Sequence, residues 1–196
     1  NWEVGYNFED ENFNPNDMGI LFSNNERMLY ASAGYRTLKP KGIFNRINLN
    51  FFNNFQYQHH TGEYTGYQAS LNINAETKNR LSFGSNINYA TKRKDFNEPR
   101  QGNTSGVYFL RPERFSANAW VSTNRQKKFS TNLRMGFSTY TNDPKSNFDF
   151  GINPSYRINN QFSLQYDIIY FQTKNDIGYV NQVGNDIIFG QRNRKS

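Results

Sequence analysis

No cysteine occurs in the 196 residues, which excludes a disulfide framework, a thiol nucleophile and a thiolate metal site and leaves the redox compartment undetermined. Long apolar runs are missing too. Asn, Ser, Gln or a charge interrupts each one within a few positions, far short of the roughly eighteen consecutive apolar residues of a membrane-spanning helix. Leu, Val and Ala are scarce, hydrophobic residues make up 35% of the chain and mean hydropathy is -0.91. Several catalytic signatures are absent as well: there is no Gly-x-Ser-x-Gly elbow, no His-Glu-x-x-His and no phosphate loop ending in Gly-Lys. Polarity of this degree would suggest disorder, but aromatics reach 17%, with 18 Phe, 13 Tyr and 2 Trp, and disordered tracts are poor in them. What is present is a mixture of about thirty Asn with many aromatic rings.

The rings recur at a spacing of two. From Ile43 to Gln58 the odd positions are Ile43, Asn45, Ile47, Leu49, Phe51, Asn53, Phe55 and Tyr57, and the even positions are dominated by Asn, Arg and Gln. Successive side chains of a strand point to opposite sides of a sheet, so this alternation separates two environments along the whole segment. The pattern repeats over 2–8, 27–37, 63–76, 81–92, 115–123, 129–141, 148–157 and 162–170, which predicts nine strands, and a tenth is expected near Asp186.

Several of these segments exceed the five or six residues of an average strand and match the nine to eleven that cross a bilayer when tilted. If each strand reverses direction, the connections at 38–42, 77–80, 124–128 and 158–161 fall at one end and are short. Those at 9–26, 59–62, 93–105, 142–147 and from Asn175 onward fall at the other and are mostly longer. That sorting by parity is the pattern of an outer-membrane barrel, with short periplasmic turns and longer outer loops. The expected fold is therefore all-β, an antiparallel up-and-down transmembrane β-barrel, partial, with about nine to ten strands of a larger barrel. A soluble antiparallel sheet with one polar face is the alternative. The chain opens in strand rhythm at Asn1 and Trp2, ends on a basic polar stretch and has an odd number of clear strands, so it reads as an internal piece of a longer protein.

Two stretches resemble a known family. Asn12-Phe13-Asn14-Pro15-Asn16-Asp17-Met18-Gly19-Ile20-Leu21, continuing to Asn24-Asn25-Glu26-Arg27, is similar to a signature of a Bacteroidota outer-membrane family. Asn175-Asp176-Ile177-Gly178-Tyr179-Val180, with Asp186-Ile187-Ile188-Phe189-Gly190-Gln191-Arg192, is similar to a second. Arg111-Pro112-Glu113-Arg114-Phe115 and Asn153-Pro154-Ser155-Tyr156-Arg157 agree in order. Members of that family join an N-terminal carbohydrate-binding module of the family-nine type to a C-terminal barrel of unknown function, and this chain resembles part of the barrel alone. The resemblance implies a bacterial outer-membrane location, contact with outer-membrane lipid, and carbohydrate or other outer-membrane proteins as partners. It implies no activity, cofactor or catalytic residue. The signature residues Asn14, Pro15, Asn16, Asp17, Gly19, Asp176, Gly178, Tyr179 and Gly190 are expected in loops.

His59 and His60, with Glu63 nearby, form a rim candidate, because imidazole beside a carboxylate can exchange protons near neutral pH. Consecutive residues of a strand diverge, so at most one of the two can serve a single site, and a polar turn is the plainer reading. The net charge of +7 invites a nucleic-acid partner. Nucleic-acid binders place stacking aromatics and basic residues on one stripe, whereas here they oppose each other, so none is expected. A cationic, amide-rich wall suits hydroxyl-rich or anionic solutes. The functions expected are binding or uptake of carbohydrate-related ligands at the cell surface, or a structural subunit of a larger outer-membrane complex with a plugged lumen. A rim hydrolase is a third.

Overall fold

Each period-two segment becomes a strand except 162–170, which is split into two, and none of the described residues is helical. The structure, a computed structural model, describes residues 1–10, 24–100, 106–184 and 186–196. Its strands are β1 (Trp2–Glu9), β2 (Glu26–Arg36), β3 (Phe44–Gln58), β4 (Tyr64–Thr77), β5 (Ser82–Ala90), β6 (Arg93–Asp95), β7 (Phe109–Arg111), β8 (Arg114–Ser122), β9 (Phe129–Tyr140), β10 (Ser146–Arg157), β11 (Ser163–Gln165), β12 (Ile168–Val183) and β13 (Asp186–Lys195). One antiparallel sheet runs β1-β2-β3-β4-β5-β8-β9-β10-β12-β13 with β11 also on β10, while β6 and β7 pair separately. The sheet is open, with β1 and β13 as its edges among the described residues.

Register turns the alternation into rows. Trp2, Ala33, Phe51, Leu71, Ile87, Ala117, Phe137 and Phe148 stand opposite one another in succession across eight strands. Two further rows on the same face are nearly as apolar: Tyr35, Leu49, Ile73, Ser85, Ala119, Met135, Phe150 and Tyr170, and then Ile47, Ala75, Phe83, Val121, Leu133, Ile152 and Ile168. On the other face Asn50, Asn72, Asn86 and Asn118 form a continuous asparagine row across β3, β4, β5 and β8. A one-residue slip in any pairing would exchange these faces, so the pattern itself fixes the register.

Burial divides unevenly between the two faces. Buried hydrophobic residues among those described are Ala75, Ala90 and Phe96, whereas Phe51, Met135, Phe137 and Phe150 stay open on the apolar face, Met135 at 51%. The buried polar residues Asn54, Gln58, Ser122 and Thr173 belong to the amide face. That face packs tightly because glycine makes room for large polar side chains: a Cβ on Gly84 would lie 2.7 Å from both the Trp120 indole nitrogen and the Ile73 carbonyl oxygen, and one on Gly151 would lie 2.6 Å from Arg134 Nε.

Two expectations need correction. The segment 93–105 is not simply a loop, since it opens with β6, which pairs residue for residue with β7 from Arg93↔Arg111 to Asp95↔Phe109. The stretch after Asn175 is not a loop either: β12 continues to Val183 and turns through Gly184, with φ at 61°, into β13. The tenth strand expected near Asp186 is β13. Beyond Lys174 β12 no longer pairs with β10, so its only strand partner among the described residues is β13 and no two-faced wall imposes alternation. Register shifts between Thr173 and Asp176 and between Tyr179 and Asn181 break the period further.

Pro154 explains why β11 and β12 are separate. Its carbonyl accepts from the Tyr166 amide at 3.1 Å, so its imide nitrogen faces the same neighbour and has no proton to give. The neighbouring strand breaks at that point, between Gln165 and Ile168.

Candidate functional site

The end of the sheet that carries the longer connections is where the amide face acquires a built structure. Residues 91–113 leave β5 and return to β8, strands that are themselves paired up to Ala90↔Arg114. The excursion does not project away. Arg93 lies against Gly66 of the amide face so closely that a Cβ there would sit 2.7 Å from the Arg93 Cβ. Phe96 is buried and Pro99 fully so. Residues 91–100 and 106–113 therefore form a cap laid over that face.

A charge network holds the cap. Arg111 donates from Nε to Asp95 Oδ2 at 2.7 Å and from Nη2 to Glu98 Oε2 at 2.6 Å. Asp95 Oδ1 accepts the amides of Asn97 and Glu98, both at 3.0 Å, which fixes the turn after β6. The second Glu98 oxygen accepts the Tyr179 amide at 3.0 Å, tying the cap to the β12–β13 hairpin 81 residues away. Arg100 lies 4.6 Å over the Tyr179 ring, and the Phe109 and Phe189 rings are 4.8 Å apart. At the base of the hairpin Asp176 takes Lys145 Nζ at 2.6 Å and Arg192 Nε at 2.9 Å.

Burial alone would raise the Asp95 carboxyl, but the Arg111 hydrogen bond and the two amide donors outweigh it and hold it below the ordinary carboxylate value. Asp176 behaves alike, with burial outweighed by Lys145 and Arg192. A carboxyl depressed in the folded state contributes stability above its unfolded value, about 3.9, and that contribution disappears as pH falls through the lower folded value. The cap should thus stay closed at neutral pH and loosen below about pH 4. Amide exchange at Tyr179, corrected for its intrinsic pH dependence, is expected to lose protection there while the β3–β4 pairing keeps its own.

The histidine candidates occupy the β3–β4 turn. The His59 ring stacks on Phe8 with centroids 5.5 Å apart, and its Nδ1 accepts from Arg27 Nε at 3.3 Å. The His60 amide donates to Asn25 Oδ1 at 2.7 Å. Glu63 is ion-paired with Lys94 of the cap. The turn is thus bound to β1, β2 and the cap, and the carboxylate of the expected rim group is engaged with a lysine. Among the described residues no group of three or more His, Asp or Glu is placed to hold a metal ion.

Of the signature residues, Asn14, Pro15, Asn16, Asp17 and Gly19 lie outside the described residues. Asp176, Gly178 and Tyr179 are in β12 and Gly190 in β13, strands rather than the loops expected, with Gly178 directly opposite Gly190. Asp95, Glu98, Lys145 and Arg192 were not singled out by the sequence. Neither period nor motif marks them because their partners lie on different strands, although Arg111, Asp176, Tyr179 and Arg192 fall within the stretches that carry the family resemblance.

No characterised protein and no solved structure matches the chain. A family model described as a domain of unknown function, DUF5916, matches residues 1–196, the whole of the sequence. With its open antiparallel sheet and the cap locked across one end, the chain belongs to the DUF5916 family.

Proposed function

We propose that this sheet is part of the wall of a transmembrane β-barrel in a bacterial outer membrane, in Bacteroidota by resemblance, with its amide face turned to a water-filled interior. The observation that carries the reading is the contrast between the faces: Phe51, Met135, Phe137 and Phe150 of the apolar rows are exposed, while Asn54, Gln58, Ser122 and Thr173 of the amide face are buried. Exposed apolar side chains recurring in successive rows across the sheet form a patch of the kind that marks an interaction or membrane surface. From Ile47 to Tyr57 the apolar positions of β3 span ~34 Å along the strand, or ~25 Å in height at a tilt of about 40°, the height of an outer-membrane apolar band. Rings gather toward the outer-loop end, with Phe55–Tyr67 at 4.8 Å, Tyr57–Tyr64 at 5.6 Å and Phe115–Phe137 at 6.0 Å, as in an interfacial girdle.

The role we assign is binding or uptake of carbohydrate-related ligands, because the Asn50, Asn72, Asn86 and Asn118 row presents paired donors and acceptors suited to hydroxyl groups. The cap over the amide face favours a second reading, a structural subunit of a larger outer-membrane complex whose lumen is plugged. Cell fractionation of the full-length protein tests the location. Recovery in the outer membrane, resistant to carbonate washing, is expected, and recovery in a soluble fraction would overturn it. Planar-bilayer conductance then separates the roles: an uptake barrel passes current that a neutral oligosaccharide blocks, and a plugged subunit passes none.

A further inference from the structure

Between the cap and the strand ends lies a cavity of about 300 Å³. Its floor is the row Ala90, Arg114 and Tyr140, contributed by the ends of β5, β8 and β9 on the amide face. Its roof is β7 with Phe109 and Arg111, Arg93 closes one side, and Lys145 stands on the other. Four cations thus line one small space.

Their commitments differ. Arg111 is bound to Asp95 and Glu98, and Lys145 to Asp176. Asp143 is the carboxylate of the lining, and its Oδ1 is occupied by the Lys145 amide at 2.8 Å. Arg93 and Arg114 make no ion pair and donate no side-chain hydrogen bond among the described residues. A guanidinium carries five N–H donors in a planar fork, so each of the two can offer a bidentate pair to an incoming acceptor. The Arg93 cation is also held at a disadvantage. Burial lowers its pKa first, and the positive charges of Arg111 and Arg114 lower it further, against the opposing pull of Asp95 and Glu26. A site that gathers uncommitted cations in partial burial is stabilised by an anion with several oxygens.

We propose that this cavity is a binding site for a small solute bearing an oxyanion, carboxylate or phosphate, gripped by the forks of Arg93 and Arg114. Phe109 and Tyr140 provide the apolar surface on which the rest of the solute lies. The site is formed wholly by described residues at the cap, so it stands whether or not the sheet lies in a membrane.

Calorimetric titration of the full-length protein with inorganic phosphate, glucuronate and glucose provides the test. At least one anion is expected to bind ten times or more tightly than glucose, and the phosphate and glucuronate arms tell which oxyanion the forks fit. R93Q/R114Q is expected to weaken that binding at least tenfold, whereas K127Q/K128Q, which removes two charges at the opposite end of the sheet, leaves it unchanged. Absence of anion binding by the unaltered protein, equal affinity in R93Q/R114Q, or an equal loss in K127Q/K128Q would overturn the proposal. If R93Q/R114Q does not give a β-sheet circular dichroism spectrum, R93K/R114K takes its place. That variant keeps both charges and loses the forks, so several-fold weakening supports the site and unchanged affinity overturns it.

Discussion

Leu71→Arg is expected to destabilise the protein by about 2–4 kcal/mol when it is unfolded from lipid vesicles, the cost of a cation at the lipid-facing midplane of a β-barrel. Leu71 stands in the middle of the apolar row between Phe51 and Ile87, on a strand of 14 residues, so no nearby strand end lets a long side chain escape to water. Its neighbour Ser70 points to the amide face, and Ser70→Arg is expected to cost less than about 1 kcal/mol, since that face already holds Arg134 and Asp149. The contrast between adjacent positions is the informative quantity. If the apolar face stood in water, Leu71→Arg would change stability by no more than about 0.5 kcal/mol, as ordinary surface substitutions do. Equal, small effects at both positions would remove the lipid-facing reading.

Arg111→Met is expected to open the cap, with a local loss of about 2 kcal/mol. Met fills much the same length without the charge, so Asp95 and Glu98 are left facing each other with their common counter-ion gone. Both side chains are mostly covered, at 20% and 24% exposure, so water replaces the lost partner incompletely. The effect should reach the distant hairpin. Glu98 bridges Arg111 to the Tyr179 amide, and protection of that amide against exchange is expected to fall about thirtyfold, the equivalent of 2 kcal/mol. Adding D95N and E98Q to R111M removes the stranded charges and should restore part of the protection, because uncompensated charge is costlier than its absence. Unchanged exchange at Tyr179 in R111M would mean that packing of Phe109 on Phe189 holds the cap without the network.

The nine alternating segments were legible because each face of a long strand meets a single environment over its whole length. Ile43 to Gln58 could be placed from its residues alone, and the structure pairs it over almost that span, as β3. Legibility failed where strands are short or paired on one side only, and where a site gathers distant residues. β6 and β7 are three residues each, too short to show a period, and their pairing depends on the turn that Asp95 fixes. The upper part of β12 has a partner on one side only and is interrupted by register shifts, so its side chains follow no two-faced rule. The cavity between them was invisible for the same reason. Arg93, Arg114, Tyr140 and Lys145 meet there from four separate parts of the chain, and spacing in sequence carries no information about such a meeting.

By itself the sequence determined the class of strand, the separation of an apolar from an amide face and the sorting of short turns from long connections. Those properties are periodic, and period two is enforced by the backbone of every strand. Only the tertiary structure decided that eight apolar residues line up into one row, that Asn54, Gln58, Ser122 and Thr173 of the amide face are buried, and that residues 91–100 and 106–113 lie back over that face as a cap. Register and the hydrogen bond from the Tyr179 amide to Glu98 across 81 residues arise from contacts between distant segments, and such a contact is written in two places at once.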